Sequence, residues 1–109
     1  MDEIVFNALA DAELARVEEV LEECDAELDI ECKPGGVLEV EFENGSKVII
    51  NRHTAAREIW VAAKSGGFHF SPQASAWVSG RDGSELYALL SRVVSEQAGK
   101  QVMLARGDD

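Results

Sequence analysis

Asn44-Gly45 stands between two runs that alternate apolar and polar side chains, 37–42 and 47–51, and this restricts the fold more than any other feature of the chain. Asn-Gly is the strongest short signal for a hairpin, so the two runs are predicted to pair as antiparallel strands. In the first run Leu38, Val40 and Phe42 share one face, and Glu39, Glu41 and Glu43 the other, the period of a half-buried strand. A similar run precedes it at 29–33, with Ile30 and Cys32 pointing one way and Asp29, Glu31 and Lys33 the other; Pro34-Gly35-Gly36 is the turn between them. Downstream, 58–62 is predicted as a fourth strand with Ile59 and Val61 on the core face and Glu58, Trp60 and Ala62 opposite. Gly66-Gly67 turns into Phe68-His69-Phe70, 71–75 reads as a loop, and 76–79 as a further short strand.

Helical periodicity brackets this region. Residues 2–24 place Phe6, Leu9, Ala10, Val17, Leu21 and Cys24 on one stripe, with Asp2 as cap. Residues 84–98 place Leu86, Leu89, Leu90, Val93 and Val94 on another, with Asp82 and Glu85 at capping-box spacing and Gly99 as the stop. Val102 and Leu104 are positioned to pack back between the helices. The order predicts an α+β fold: an antiparallel sheet of five to six strands with N- and C-terminal helices packed on one face. The other face is left to solvent or partners. With 109 residues and 46% hydrophobic content, the chain is expected to be one domain, 1–109, with a small core.

The charge is distributed unevenly. The formal net charge is −11, and the first 31 residues hold twelve carboxylates against one base, Arg16. The remainder balances. On a helix Glu18 and Glu22 are one turn apart, as are Glu19 and Glu23, and Asp25, Glu27, Asp29 and Glu31 extend the patch. Oxygen ligands without imidazole or thiolate suit hard cations, Fe2+ and Fe3+ among them, with little selectivity. A merely solubilising acidic face is the competing reading. Two like charges ~6 Å apart repel by roughly 0.7 kcal/mol in water. Several such pairs are a noticeable load on a domain whose whole stability is ~5–15 kcal/mol.

Other classes are disfavoured. Phosphate contacts need Lys and Arg, so general nucleic-acid binding is not expected. No apolar run approaches a membrane span, and the start, Met1-Asp2-Glu3-Ile4, lacks the pattern of a secretory or transit signal; the expected location is the bacterial cytoplasm. Cys24 and Cys32 form no CxxC and read as small buried hydrophobes. No nucleophile–base pattern and no phosphate-binding glycine loop occur, so an enzyme is not expected. His53 and His69 read as surface polar residues, Trp77 as packing, and Trp60 as an exposed interface anchor.

Several segments together resemble the frataxin family in its bacterial, CyaY-type form. They are Glu18-Glu19…Glu22-Glu23-Cys24-Asp25, the run from Gly35-Gly36-Val37-Leu38 through Phe42-Glu43-Asn44-Gly45-Ser46-Lys47 to Asn51-Arg52, then Ile59-Trp60-Val61-Ala62, Gly66-Gly67-Phe68-His69-Phe70 and Trp77-Val78…Arg81-Asp82-Gly83. The resemblance covers essentially the whole chain. It implies an iron-binding regulator of iron–sulfur cluster assembly, acting as iron donor or iron sensor. Iron would bind weakly on Glu18, Glu19, Glu22, Glu23, Asp25, Asp29 and Glu31, with other hard divalent cations accepted. It also implies docking onto the cysteine desulfurase, and onto the scaffold protein of assembly, with Asn51, Arg52 and Trp60 at partner-surface positions. A monomer is the default state. The alternative is an acidic interaction module for a basic partner, with metal binding incidental.

Overall fold

The computed structural model describes residues 1–107, so the last two positions of the expected 1–109 span lie outside the described residues. The elements are α1 (Glu3–Glu23), β1 (Leu28–Lys33), β2 (Val37–Phe42), β3 (Lys47–His53), a 3-10 turn (Thr54–Ala56), β4 (Glu58–Ala63), β5 (Gly66–Gln73), β6 (Ala76–Val78) and α2 (Leu86–Ala98). The sheet is a six-stranded antiparallel meander in the order β1-β2-β3-β4-β5-β6. Consecutive hairpins leave no crossover, so every strand lies beside its neighbour in sequence.

One hydrophobic cluster joins Phe6, Val17 and Leu21 of α1, Leu90 and Val93 of α2, and Leu38, Val40, Ile50, Ile59 and Phe70 of the sheet. Both helices therefore cover the same face, as expected. Fully burying side chains of this size stabilises by about 1.5–3 kcal/mol each. Val102 and Leu104 pack into the same core. Their segment is tied to α2 by Ser91 and Ser95, whose hydroxyls each bond both the N–H and the carbonyl of Leu104 and Val102 respectively.

Asp2 caps α1 by accepting from the Val5 N–H at 2.8 Å, and Gly99 ends α2 in the left-handed region at φ 72°. The cap of α2 is Glu85, which accepts from the Ala88 N–H, and not a box begun at Asp82. The chain is still extended at 84–85: Ser79 N–H bonds the Ser84 carbonyl, and Val78 bridges Glu85. Helical dihedrals start only after that bridge. Asp82 instead closes its own turn onto the Ser84 N–H.

Three other expectations change. Residues 71–73 belong to β5, because β6 pairs with them beyond the end of β4 and places Pro72 opposite Trp77. Leu9 is 41% exposed, whereas Leu14 and Glu13 are buried. Neither cysteine is fully buried: Cys24 is half-buried and Cys32 exposed. A groove of about 190 Å³, lined by Leu14, Ala15 and Glu18 of α1, runs alongside Cys32 and leaves it open. Trp77 is core, edge-on to Phe6 with ring centroids 6.0 Å apart.

Candidate cation and docking surface

The acidic residues gather along one edge, where the last turns of α1 run beside β1. Glu19, Glu22 and Glu23 are exposed and Glu18 half-buried. The last turn of α1 contains no base. Carboxylates there stand at the negative pole of the helix, where they are least welcome and a cation is stabilised. Asp25, Asp29 and Glu31 are exposed. Asp29 lies directly opposite Glu41, and Glu31 opposite Glu39, like-charge cross-strand pairs that destabilise the edge. Relief is local: Lys33 and Lys47 both reach Glu39, at 3.2 and 3.5 Å. The Lys33 hydrogen bond holds the Glu39 carboxyl below its usual range.

The seven expected ligands do not form a single plane. Glu18 and Glu22 face the Cys32 side of β1. The neighbouring Glu18 carboxylate, with partial burial and the charge of Glu22, raises the Cys32 thiol above its ordinary value. Asp29 and Glu31 alternate to the other face of the strand. Among the described residues no three His, Cys, Asp or Glu side chains converge into a group that could hold a metal ion. The arrangement offers an acidic rim to hydrated hard cations and no fixed coordination geometry.

Asn51 and Trp60 are direct partners across β3 and β4 on the face away from the helices. Arg52 is not on that face. It pairs with Ile59, whose side chain is in the core, and its guanidinium bonds Asp11 of α1. Alternation in β3 makes this unavoidable, since neighbours in a strand point to opposite faces. The three expected partner residues are thus split: Asn51 and Trp60 outward, Arg52 folded over Gly36 toward α1.

Trp60 is half-buried rather than free. His53 stacks on one face of its indole, with centroids 3.8 Å apart and planes 11° apart; His69 stacks on the other at 4.3 Å and 10°. The indole N–H donates to Glu58 at 2.9 Å. Both histidines therefore do more than the surface polarity expected of them. The register carries the signal: His69 is the direct cross-strand partner of Trp60, and His53 lies diagonal to it, within reach of aromatic rings.

Glu13 is the other residue the sequence reading missed. It is 4% exposed and lies on the same face of α1 as Ala10 and Val17. The spacing held the signal, since residue 13 falls on the stripe between them. It accepts from the Tyr87 hydroxyl at 2.6 Å and pairs with Arg106 at 3.2 Å, which satisfies a charge that would otherwise be costly to bury. Among the described residues no helix is long and apolar enough to cross a membrane.

Two helices on one face of an antiparallel meander, with an acidic rim where the first helix meets the edge strand, define a two-layer α/β sandwich of the frataxin-like class. A model of the frataxin-like domain matches residues 1–100, and the chain belongs to the frataxin family. It is 54% identical over 104 residues to a protein of Dechloromonas aromatica named iron-sulfur cluster assembly protein CyaY, covering 95% of this chain and 99% of that one. A protein of the same name from Herminiimonas arsenicoxydans is 48% identical over 108 residues, covering 95% and 96%. Among solved structures, a frataxin of the CyaY family from Psychromonas ingrahamii superposes with a TM-score of 0.87 at 30% identity, covering 99% of this chain and all of that one. Trimeric yeast frataxin complexed with ferrous iron superposes with a TM-score of 0.65 at 27% identity, covering 92% and 88%.

Proposed function

We propose that this protein regulates iron–sulfur cluster assembly in the bacterial cytoplasm. It carries iron weakly as cargo on Glu18, Glu19, Glu22, Glu23, Asp25, Asp29 and Glu31, and docks onto the cysteine desulfurase and its scaffold partner. It is not itself an enzyme. Family membership and the assembly role named for its relatives support this reading. The observation that carries it is the run of uncompensated carboxylates at the C-terminal end of α1, against the edge strand. Such a rim attracts Fe2+ or Fe3+, and steers a basic surface of the partner into contact. Asn51 and Trp60 on the outer sheet face supply shape at the same interface. Arg52 acts from behind, holding β3 to α1 through Asp11.

The lack of a converging ligand group among the described residues favours a second reading, in which the acidic rim serves a basic partner and metal is incidental. Iron titration followed by backbone NMR, combined with desulfurase binding in iron and in chelator, separates the two. Shifts confined to the rim, with affinity or inhibition that responds to iron, are expected. Desulfurase binding identical in chelator would leave the pure interaction module standing and remove the iron role.

A further inference from the structure

The outer sheet face carries an arrangement that the acidic rim does not explain. Three rings from three adjacent strands, His53 of β3, Trp60 of β4 and His69 of β5, lie parallel in one stack. Two of the rings are hydrogen-bonded in place, and the third lies close to the same carboxylate. His53 Nδ1 accepts the Ala56 N–H at 3.3 Å, so the imidazole is the cap of the 3-10 turn that follows β3. The Trp60 N–H is held by Glu58 Oε1. His69 Nδ1 lies 3.7 Å from that same oxygen, and the Ser71 hydroxyl donates to the other carboxylate oxygen at 3.5 Å.

We infer that His53 and His69 are positioning residues for docking: they lock the Trp60 indole upright so that it meets the partner by its ring edge. The inference rests on the docking reading above. Its physical basis is that both faces of the indole are covered and its one donor is engaged. A partner side chain, an arginine for instance, has no open face to stack on. What remains outward is the positive edge of the aromatic quadrupole, in a protein of net charge −11. The partner group it fits is a neutral acceptor, a main-chain carbonyl of a loop, because a partner carboxylate would be repelled by the surrounding charge. An anchor already held in one rotamer also loses less side-chain entropy on binding than a free one.

The test compares three variants by desulfurase affinity and by the indole Nε1–H resonances of the free protein, with melting curves confirming that each folds. They are His53→Ala/His69→Ala, His53→Phe/His69→Phe and Trp60→Ala. The alanine pair, which uncovers the indole, is expected to shift the Trp60 resonance and weaken docking by about tenfold, as Trp60→Ala does. The phenylalanine pair, which keeps the stack without imidazole nitrogens, is expected to restore both. If the alanine pair binds as the wild type does, or tighter, while Trp60→Ala is weakened, the partner uses an open indole and the inference fails while the docking reading stands. If the phenylalanine pair is as weak as the alanine pair, the imidazoles touch the partner themselves and the positioning role is wrong. If Trp60→Ala binds normally, both the inference and the sheet-face docking are overturned.

Discussion

Tyr87, at the start of α2, donates its hydroxyl hydrogen to Glu13 of α1 over 2.6 Å in space closed to water. The bond ties the two helices directly together, and Arg106 from the C-terminal segment completes the group on the opposite oxygen. Replacing Tyr87 by Phe leaves a buried carboxylate with one partner fewer. We expect a loss of about 1.5–3 kcal/mol in denaturant unfolding, the range for hydrogen bonds to charged groups.

The same pair predicts a pH response. Burial, followed by the Glu13 hydrogen bond and charge, pushes the Tyr87 hydroxyl above the ordinary tyrosine range. The folded state then holds its proton more tightly than the unfolded state. Its contribution to stability is present below the ordinary value of about 10 and is lost as pH rises beyond it. Wild-type stability should fall above that pH more steeply than that of Tyr87→Phe. Because Tyr87 is the one tyrosine in the chain, absorbance titration of tyrosinate follows this group alone; a midpoint at the ordinary value in the folded protein would refute the assignment.

Gly36→Ala should disturb α1 through Arg52. Gly36 sits at φ +77°, and an added Cβ would lie 2.7 Å from Arg52 Nη1 and 2.8 Å from its Cγ. The left-handed backbone costs a non-glycine residue about 1–2 kcal/mol, and the guanidinium must leave Asp11 as well. Unfolding should show a loss of at least this size. Asp11→Asn in the Gly36→Ala background should cost little more, since the ion pair is already broken.

Gln97 is a buried amide that joins the end of α2 to two turns. Its Nε2 donates to Ser46 Oγ and the Lys47 carbonyl, and its Oε1 accepts the Lys64 N–H. Gln97→Leu keeps the bulk and removes all three bonds. A destabilisation of about 2–4 kcal/mol is expected from the stranded backbone groups. Amide exchange at Lys64 should accelerate ahead of exchange in the sheet centre, and an unchanged rate would argue against the role.

Cys32 reports on the rim. Glu18, burial and Glu22 raise its thiol above the ordinary value, and the thiolate is the reactive form. In a Cys24→Ser background, alkylation near neutral pH should be slower than that of a free thiol, and Glu18→Gln should speed it. Millimolar Ca2+, chosen because it has no redox chemistry, should also speed it by neutralising the carboxylates. A rate indifferent to Ca2+ would place cations away from Glu18 and Glu22.

Cation binding should likewise stabilise the fold. Hard divalent cations are expected to raise the melting temperature beyond the effect of matched ionic strength, because they relieve repulsion along α1 and β1. Glu18→Gln, Glu19→Gln, Glu22→Gln and Glu23→Gln combined should remove most of that specific increment while raising stability without metal. An equal increment in the quadruple variant would move the site off the helix.

Much of this was readable in advance because it is periodic. The hairpin at Asn44-Gly45, the inward faces of β2 and β4, the cap at Asp2 and the stop at Gly99 each depend on a few neighbouring residues. So does the acidic rim, since charge needs no partner to be seen. The errors have one origin. Asp82 and Glu85 have the spacing of a capping box, but the bridge between Val78 and Glu85 keeps that stretch extended. Cys32 alternates inward with Ile30, yet a groove between α1 and the edge strand leaves it exposed. Residues 71–73 look like loop until β6 arrives to pair with them.

The sequence by itself determined the antiparallel meander, the two apolar helix stripes and the acidity of the first 31 residues, because local periodicity and composition carry these. Only the tertiary structure decided that Arg52 faces Asp11 while Asn51 faces outward, that Glu13 is buried against Tyr87 and Arg106, and that His53 and His69 enclose Trp60. Each of these joins residues far apart in the chain through strand register and helix packing. Those distances are set when the core closes, and no window of neighbouring residues contains them.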